Sequence, residues 1–185
     1  MDYKEIISTT KDLMAKAVDY SKNQIAKVRT GRATASLVDG LKADYYGSPA
    51  PISQMANIST PDARTIVIQP FDKSNLKDIE KAIQAADLGF NPQNDGTIIR
   101  IPVPPLTEDR RKEYVKLAKK YSEDGKIAVR NVRRDQIEVL RKAEKDKVVT
   151  EDEKKRGEDE IQKITDQHIK MIDEATAAKE KELMD

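Results

Sequence analysis

Eight cations form the strongest chemical signal in this sequence: Lys112, Lys116, Lys119, Lys126, Arg130, Arg133, Arg134 and Arg141. At 100° per residue they fall in an arc about 100° wide on one side of a helix. Glu123 is the only acid in that arc, and Val115 and Ile137 are apolar intruders. Residues 110–142 carry 12 basic and 5 acidic side chains, and residues 143–185 carry 9 and 14. The overall charge of +1 therefore conceals a basic segment followed by an acidic one. A charge run is ordinarily a solvated helix face. A solvated face usually mixes signs, because like charges at i,i+4 repel and opposite ones attract. A ridge of one sign costs stability, and that cost is offset when a polyanion binds. Arg130, Arg133 and Arg134 suit phosphate better than lysine would, because the planar guanidinium meets two oxygens at once. Nothing in the ridge separates RNA from DNA. Without a zinc finger or an aromatic ladder, the expected contacts are to backbone and shape.

Other chemistry is scarce. The absence of cysteine excludes a disulfide framework, a thiolate zinc site and a cysteine nucleophile. His168 is the only histidine, so a multi-histidine metal centre is excluded and a Ser-His-Asp triad would have to use it. It lies on an apolar stripe and reads as structural. Glu151-Asp152 and Glu158-Asp159-Glu160 have basic neighbours such as Lys154 and Arg156 and read as solvated pairs. Asn94-Asp95-Gly96 is a fragment of a calcium loop without its remaining ligands. Phosphate-binding glycine loops are absent. The expectation is a non-enzyme with no catalytic residue, metal or cofactor. No run approaches the roughly 18 apolar residues of a membrane span, and early acids in the N-terminal segment do not fit a signal peptide. The expected state is a cytoplasmic monomer.

The ridge requires a long helix, and the chain supplies three. With 37% hydrophobic, 36% charged and 4% aromatic residues, the composition suits solvent-washed helices better than a thick globule. Residues 2–29 read as one helix with a stripe at Tyr3, Ile6, Ile7, Thr10, Leu13, Met14, Ala17, Tyr20, Ser21, Gln24, Ile25 and Val28. A second runs from Thr107 to about Lys145, its apolar side holding Tyr114, Leu117, Ala118, Tyr121, Gly125, Ala128, Val132, Val139 and Ala143. Thr150 with Glu153 is a capping box opening a third, to about Met184, with a stripe of Gly157, Ile161, Ile164, His168, Met171, Ile172 and Ala175. All eight prolines lie between residues 31 and 105. There, strands are expected at Leu37–Tyr46, Ile52–Ser59, Thr65–Gln69 and Thr97–Val103, with one helix near Ser74–Ala86 capped by Gly89. Asn94–Thr97 signals a turn. The expected fold is α+β: a three-helix bundle of residues 1–30 and 106–185, with a small β/α/β domain of residues 31–105 inserted between helices 1 and 2. Two linkers join them, Arg29-Thr30-Gly31-Arg32 and Pro102-Val103-Pro104-Pro105. They are a hinge, a rigid corner or a plain boundary; Thr30, Gly31, Arg32, Val103, Pro104 and Pro105 are the hinge candidates.

A longer set of motifs runs through the same elements. Arg29-Thr30-Gly31-Arg32-Ala33 ends the first helix. Asp44-Tyr45-Tyr46-Gly47, Ile68-Gln69-Pro70-Phe71-Asp72-Lys73-Ser74 and Asp78-Ile79-Glu80-Lys81-Ala82-Ile83 follow. Leu88-Gly89-Phe90-Asn91-Pro92, Asn94-Asp95-Gly96 and the stretch from Ile99 to Glu108 complete the insert. Arg110–Lys116 and Ala128–Asp135 lie on the second long helix. In order and spacing this resembles the ribosome recycling factor family along the whole chain. The resemblance implies an L-shaped molecule of roughly tRNA form. It implies action with elongation factor G and GTP on the 70S-type post-termination ribosome, the factor itself not being the GTPase. It implies a helical domain lying on large-subunit rRNA and a smaller domain that swings about the linkers. Carried over by motif, the RNA-contacting arginines are Arg29, Arg32, Arg110, Arg130 and Arg133, with Lys119 and Lys126 of the ridge as further candidates. Arg110 lies off the ridge and rests on the resemblance alone. Without the resemblance, the runner-up is a helical scaffold or chaperone whose basic face keeps it soluble.

Overall fold

The computed structural model describes residues 1–185, and the chain divides into two compact units. Met1–Thr30 with Glu108–Asp185 forms the larger, and Gly31–Thr107 the smaller. Leu106 and Thr107 thus go with the insert rather than with the bundle.

The larger unit is a bundle of α1 (Tyr3–Ala26), α4 (Glu108–Lys145) and α5 (Glu151–Met184). Both capped starts use a reciprocal box. The Asp2 side chain accepts from the Glu5 amide while Glu5 accepts from the Asp2 amide, and Thr150 with Glu153 does the same for α5. The α1 core residues are Ile6, Ile7, Thr10, Met14, Val18, Ser21 and Ile25. Val18 replaces the expected Leu13 and Tyr20, which lie at the margin of the stripe and are exposed. In α5, Thr165, Thr176, Lys179 and Leu183 join Gly157, Ile161, Ile164, His168 and Ile172 inside, and Met171 points out. His168 Nδ1 lies 2.7 Å from the Ile164 carbonyl, so it donates within its own helix.

The largest difference from expectation concerns α4. Its buried residues are Ala118, Ser122, Gly125, Val129, Gln136, Leu140 and Ala143. That face is turned roughly 55° from the apolar side read off the sequence, at 100° per residue. Four side chains account for the difference. Ser122 and Gln136 are polar yet buried, while Tyr114 and Tyr121 are only half-buried at the edge. Close approach decides the face: a Cβ on Gly125 would lie 2.6 Å from Ser21 Cβ and 3.2 Å from Ile172 Cδ1. Ser21 Oγ also donates to the Tyr121 carbonyl at 3.2 Å.

The smaller unit holds a hairpin of β1 (Lys42–Tyr45) and β2 (Ser48–Pro51), one helical turn α2 (Ile52–Met55), and a sheet of β3 (Ala56–Asp62), β4 (Thr65–Pro70), β5 (Gln93–Asn94) and β6 (Ile99–Pro102). The sheet order is β3-β4-β6-β5, every pairing antiparallel. Between β4 and β5 lies α3 (Leu76–Ala85). The expected strand Ile52–Ser59 begins with α2 instead. Ile52 and Met55 are both buried; three residues apart, they share a face of a helix but would take opposite faces of a strand. In the expected strand Leu37–Tyr46, only Lys42–Tyr45 is extended, after a 3₁₀ turn at Ala35–Leu37. The C-cap of α3 is Ala86, with Asp87 at φ 47°, so the helix closes before Gly89. The Asn94–Thr97 turn forms as read: Asp95 Oδ1 accepts from the Thr97 and Ile98 amides at 2.9 Å each. The Ile98 bond, then the Thr97 bond, hold its carboxyl below the usual range. Ile66, Ile68, Ile79, Ile83, Ile99 and Ile101 centre the core.

Two outcomes test this packing. Gly125→Ala should destabilise the protein by about 1–3 kcal/mol through overpacking, although alanine is the better helix former by about 1 kcal/mol. Adding Ser21→Gly should cost less than the two changes summed, in urea unfolding. At the other end of the bundle, Tyr3 Oη donates to Glu160 at 2.5 Å and Arg156 stacks over its ring. Burial, and then the Glu160 bond, push Tyr3 up from 10.0 to about 12. The folded state thus retains a proton that the unfolded state releases. This stabilisation is complete below pH 10 and is lost as pH rises through about 12. Stability should fall across that window in the native protein and less steeply in Tyr3→Phe.

Candidate nucleic-acid interface

With Glu108 and Asp109 in its first turn and Lys142 and Lys145 in its last, α4 has charges that suit the helix dipole at both ends. Because its buried face is turned, the basic ridge does not lie opposite the core. It runs along the flank next to α5, and the acidic helix meets it. Lys126 Nζ is paired with Asp173, Lys119 lies 3.9 Å from Glu180, and Arg141 Nε lies 3.0 Å from Glu158. Arg133 is half-buried and donates through Nη1 to Gln162 Oε1; Gln162 Nε2 in turn donates to Asp166 at 2.9 Å. Lys112 and Arg130 pair inside their own helix, with Glu108 at 3.4 Å and Glu123 at 3.3 Å. Only Lys116 and Arg134 of the eight are exposed without an ion pair. The reading of an uncompensated ridge is therefore corrected. Three of its eight cations are paired across the α4–α5 seam, and Lys126 is the most covered of its lysines, with 21% of its side chain accessible. A groove of about 390 Å³ follows this seam, lined by Lys119, Ser122, Lys126, Asp173, Thr176 and Glu180 among others.

The outward side of α4 remains cationic. It carries Lys116, Arg130 and Arg134, and it adds Lys120, which lies outside the arc expected from the sequence. Knowing the true core direction would have included it. Ile127 lies exposed among them. This is a surface that can take phosphates through mobile ammonium groups and planar guanidinium forks.

Arg110 faces the side expected to be apolar, yet 64% of its side chain is accessible, and it lies 3.6 Å from Glu113. Register explains this. Ser21 meets Gly125 and α1 stops at Ala26, so about three turns of α4 continue past the end of α1. Arg29 and Arg32 are both exposed, the first in the larger unit and the second in the smaller. Thr30 is half-buried. The other hinge candidates, Gly31, Arg32, Val103, Pro104 and Pro105, belong to the smaller unit, and Val103 is a buried member of its core. No helix is long and apolar enough to cross a membrane.

Comparison with known proteins gives a uniform result. The profile of the family described as ribosome recycling factor matches residues 21–184. A ribosome-recycling factor from Geobacillus sp. (strain WCH70) is 56% identical over 181 residues, covering 98% of each chain. A solution structure of a ribosome recycling factor aligns with a TM-score of 0.79 and 44% identity, over 100% of this chain and 98% of the other. A structure titled as models of the T. thermophilus ribosome recycling factor and the E. coli elongation factor G, bound to the E. coli post-termination complex, aligns with a TM-score of 0.67. Its identity is also 44%, over 100% of both chains.

The seam is testable by itself. A double-mutant cycle on Lys126→Ala and Asp173→Ala should give a coupling of up to about 1 kcal/mol in stability. That coupling should shrink as salt rises. No coupling at low salt would separate the two side chains in solution.

Proposed function

The chain belongs to the ribosome recycling factor family, and on that premise we propose that it acts with elongation factor G and GTP to split the post-termination ribosome into subunits. Family membership along nearly the whole chain is the observation that carries this reading. The bundle of residues 1–30 and 108–185 binds large-subunit rRNA. The insert of residues 31–107 takes the push from elongation factor G and transmits it. GTP is hydrolysed by elongation factor G, and this chain supplies no catalysis.

The rRNA-facing residues are Arg29, Arg32, Arg110, Arg130 and Arg133, with Lys119 and Lys126 at the edge. Their energetic weights differ for a physical reason. A cation held by a carboxylate must give up that pair to take a phosphate, so its net gain is small. Lys126 with Asp173 and Lys119 with Glu180 fall in this class. Arg133 is held by the neutral Gln162 carboxamide. It keeps its full charge and is oriented in advance, which lowers the entropy lost on binding. Lys116, Lys120 and Arg134 add long-range attraction that raises the association rate.

Pelleting of variants with purified ribosomes checks these weights. Arg133→Ala should cost about 1.5–3 kcal/mol of binding, or roughly tenfold to over a hundredfold, and Lys126→Ala much less. If five arginines each neutralise a phosphate, the slope of log K against log salt should be about −4 to −5. A slope near zero would make the basic face a solvated one. Light scattering with post-termination ribosomes, elongation factor G and GTP tests the activity itself. No acceleration of subunit separation by this protein would end the proposal.

A further inference from the structure

The turn between β3 and β4 contacts both linker segments. Ala33 donates its amide to the Ala63 carbonyl at 2.9 Å, and Val103 donates to the Arg64 carbonyl at 2.7 Å. Arg64 Nη1 donates to the Gly31 carbonyl at 2.9 Å. The turn is itself fixed, since Asp62 Oδ1 accepts from the Arg64 amide at 2.7 Å. A bulge between Ser59 and Asp62 interrupts the β3–β4 ladder just before it, and such bulges bend and re-aim a hairpin end. The two linkers also touch each other. Gly31 has φ +75°, and a Cβ there would lie 2.8 Å from Leu106 Cγ and 3.1 Å from Leu106 N. Val103 and Ala33 are both buried in the core of the smaller unit. Pro102, Pro104 and Pro105 restrict φ through the return segment.

We propose that the β3–β4 turn is a clasp. Ala63 and Arg64 fasten Gly31–Ala33 and Val103 onto the smaller unit, so that rotation between the units is confined to residues 29–30 and 107. Arg64 is then a positioning residue: it touches no RNA in this scheme, but it makes the base of the insert stiff enough to carry a push. Gly31 contributes close packing rather than flexibility, because its left-handed backbone and its contact with Leu106 fit one conformation. A loose base would absorb the push in local bending. The clasp rests on the proposed splitting function only for its use, not for its existence.

Hydrogen exchange on the free full-length protein tests its existence without a ribosome. The Ala33 and Val103 amides should exchange at least about tenfold more slowly than that of Thr30. Arg64→Met removes the side-chain bond and leaves the backbone bonds. It should speed exchange at Gly31–Ala33 by up to about tenfold, the worth of one net hydrogen bond, and leave Ile66 and Ile101 in the sheet unchanged. With ribosomes, Arg64→Met should keep pelleting affinity and lose splitting rate several-fold, and Arg64→Lys should recover part of it. Equal exchange at Ala33, Val103 and Thr30 would overturn the clasp, as would full splitting by Arg64→Met. Failure of the native protein to split ribosomes would count against the proposed function, while the exchange data would still decide the clasp.

Discussion

At Gly125 and Gly157 all three long helices converge, and the lack of a side chain there sets the register of the bundle. The space a Cβ would need at Gly125 on α4 is taken by Ser21 of α1 and Ile172 of α5. At Gly157 on α5 it is taken by Leu140 of α4, 2.6 Å away, and Tyr3 of α1, 3.1 Å away. Along α4, Gly125 and Leu140 are separated by about 20 Å at 1.5 Å per residue. Two pins that far apart leave neither rotation nor sliding free. The remaining features of the unit follow from that register. Tyr3 reaches Glu160, α4 runs on past the end of α1, and the basic flank of α4 faces the acids of α5.

Elements with local signals could be read directly from the chain. Thr150 and Glu153 mark the start of α5, Asp95 and Gly96 mark the turn before β6, and the proline-rich stretch marks the insert. The face of α4 could not. Its direction depends on which side accepts a close approach, and that is decided by Gly125 and Ser122, not by the most apolar arc. Gln136 deepens the difficulty: it is buried, with its carboxamide oxygen unpartnered, where a pattern of apolar residues would place a leucine. Ile52 and Met55 misled for the opposite reason. A Pro-flanked apolar run fits a strand, and only the position of the core shows that both must point one way. The candidate site was legible as a set of residues but not as a set of energies. Nothing in the spacing tells that Arg133 meets an amide and Lys126 a carboxylate.

The smaller unit solves a separate problem. An inserted domain must bring its first and last residues together without help from the host. Here the antiparallel pairing of β4 with β6 returns the chain to where it entered, and the β3–β4 turn gathers both segments. The unit has its own core of isoleucines, separate from that of the helices.

The charge pattern then has a simple account. A helix with 12 basic and 5 acidic residues between 110 and 142 would repel itself if left alone. Placing an acidic helix along one flank relieves that repulsion at Lys119, Lys126 and Arg141. It leaves Lys116, Lys120 and Arg134 on the outward flank exposed and without an ion pair. The fold thereby divides one set of like charges in two. The flank against α5 is an internal ion-pair seam. The outward flank is stabilised only when something anionic covers it. Since the division is made by the register of the glycines, a shift of α4 against α5 would redistribute both sets of charges at once. The packing of two glycines in the core and the strength of the surface for a polyanion are therefore properties of the same contact.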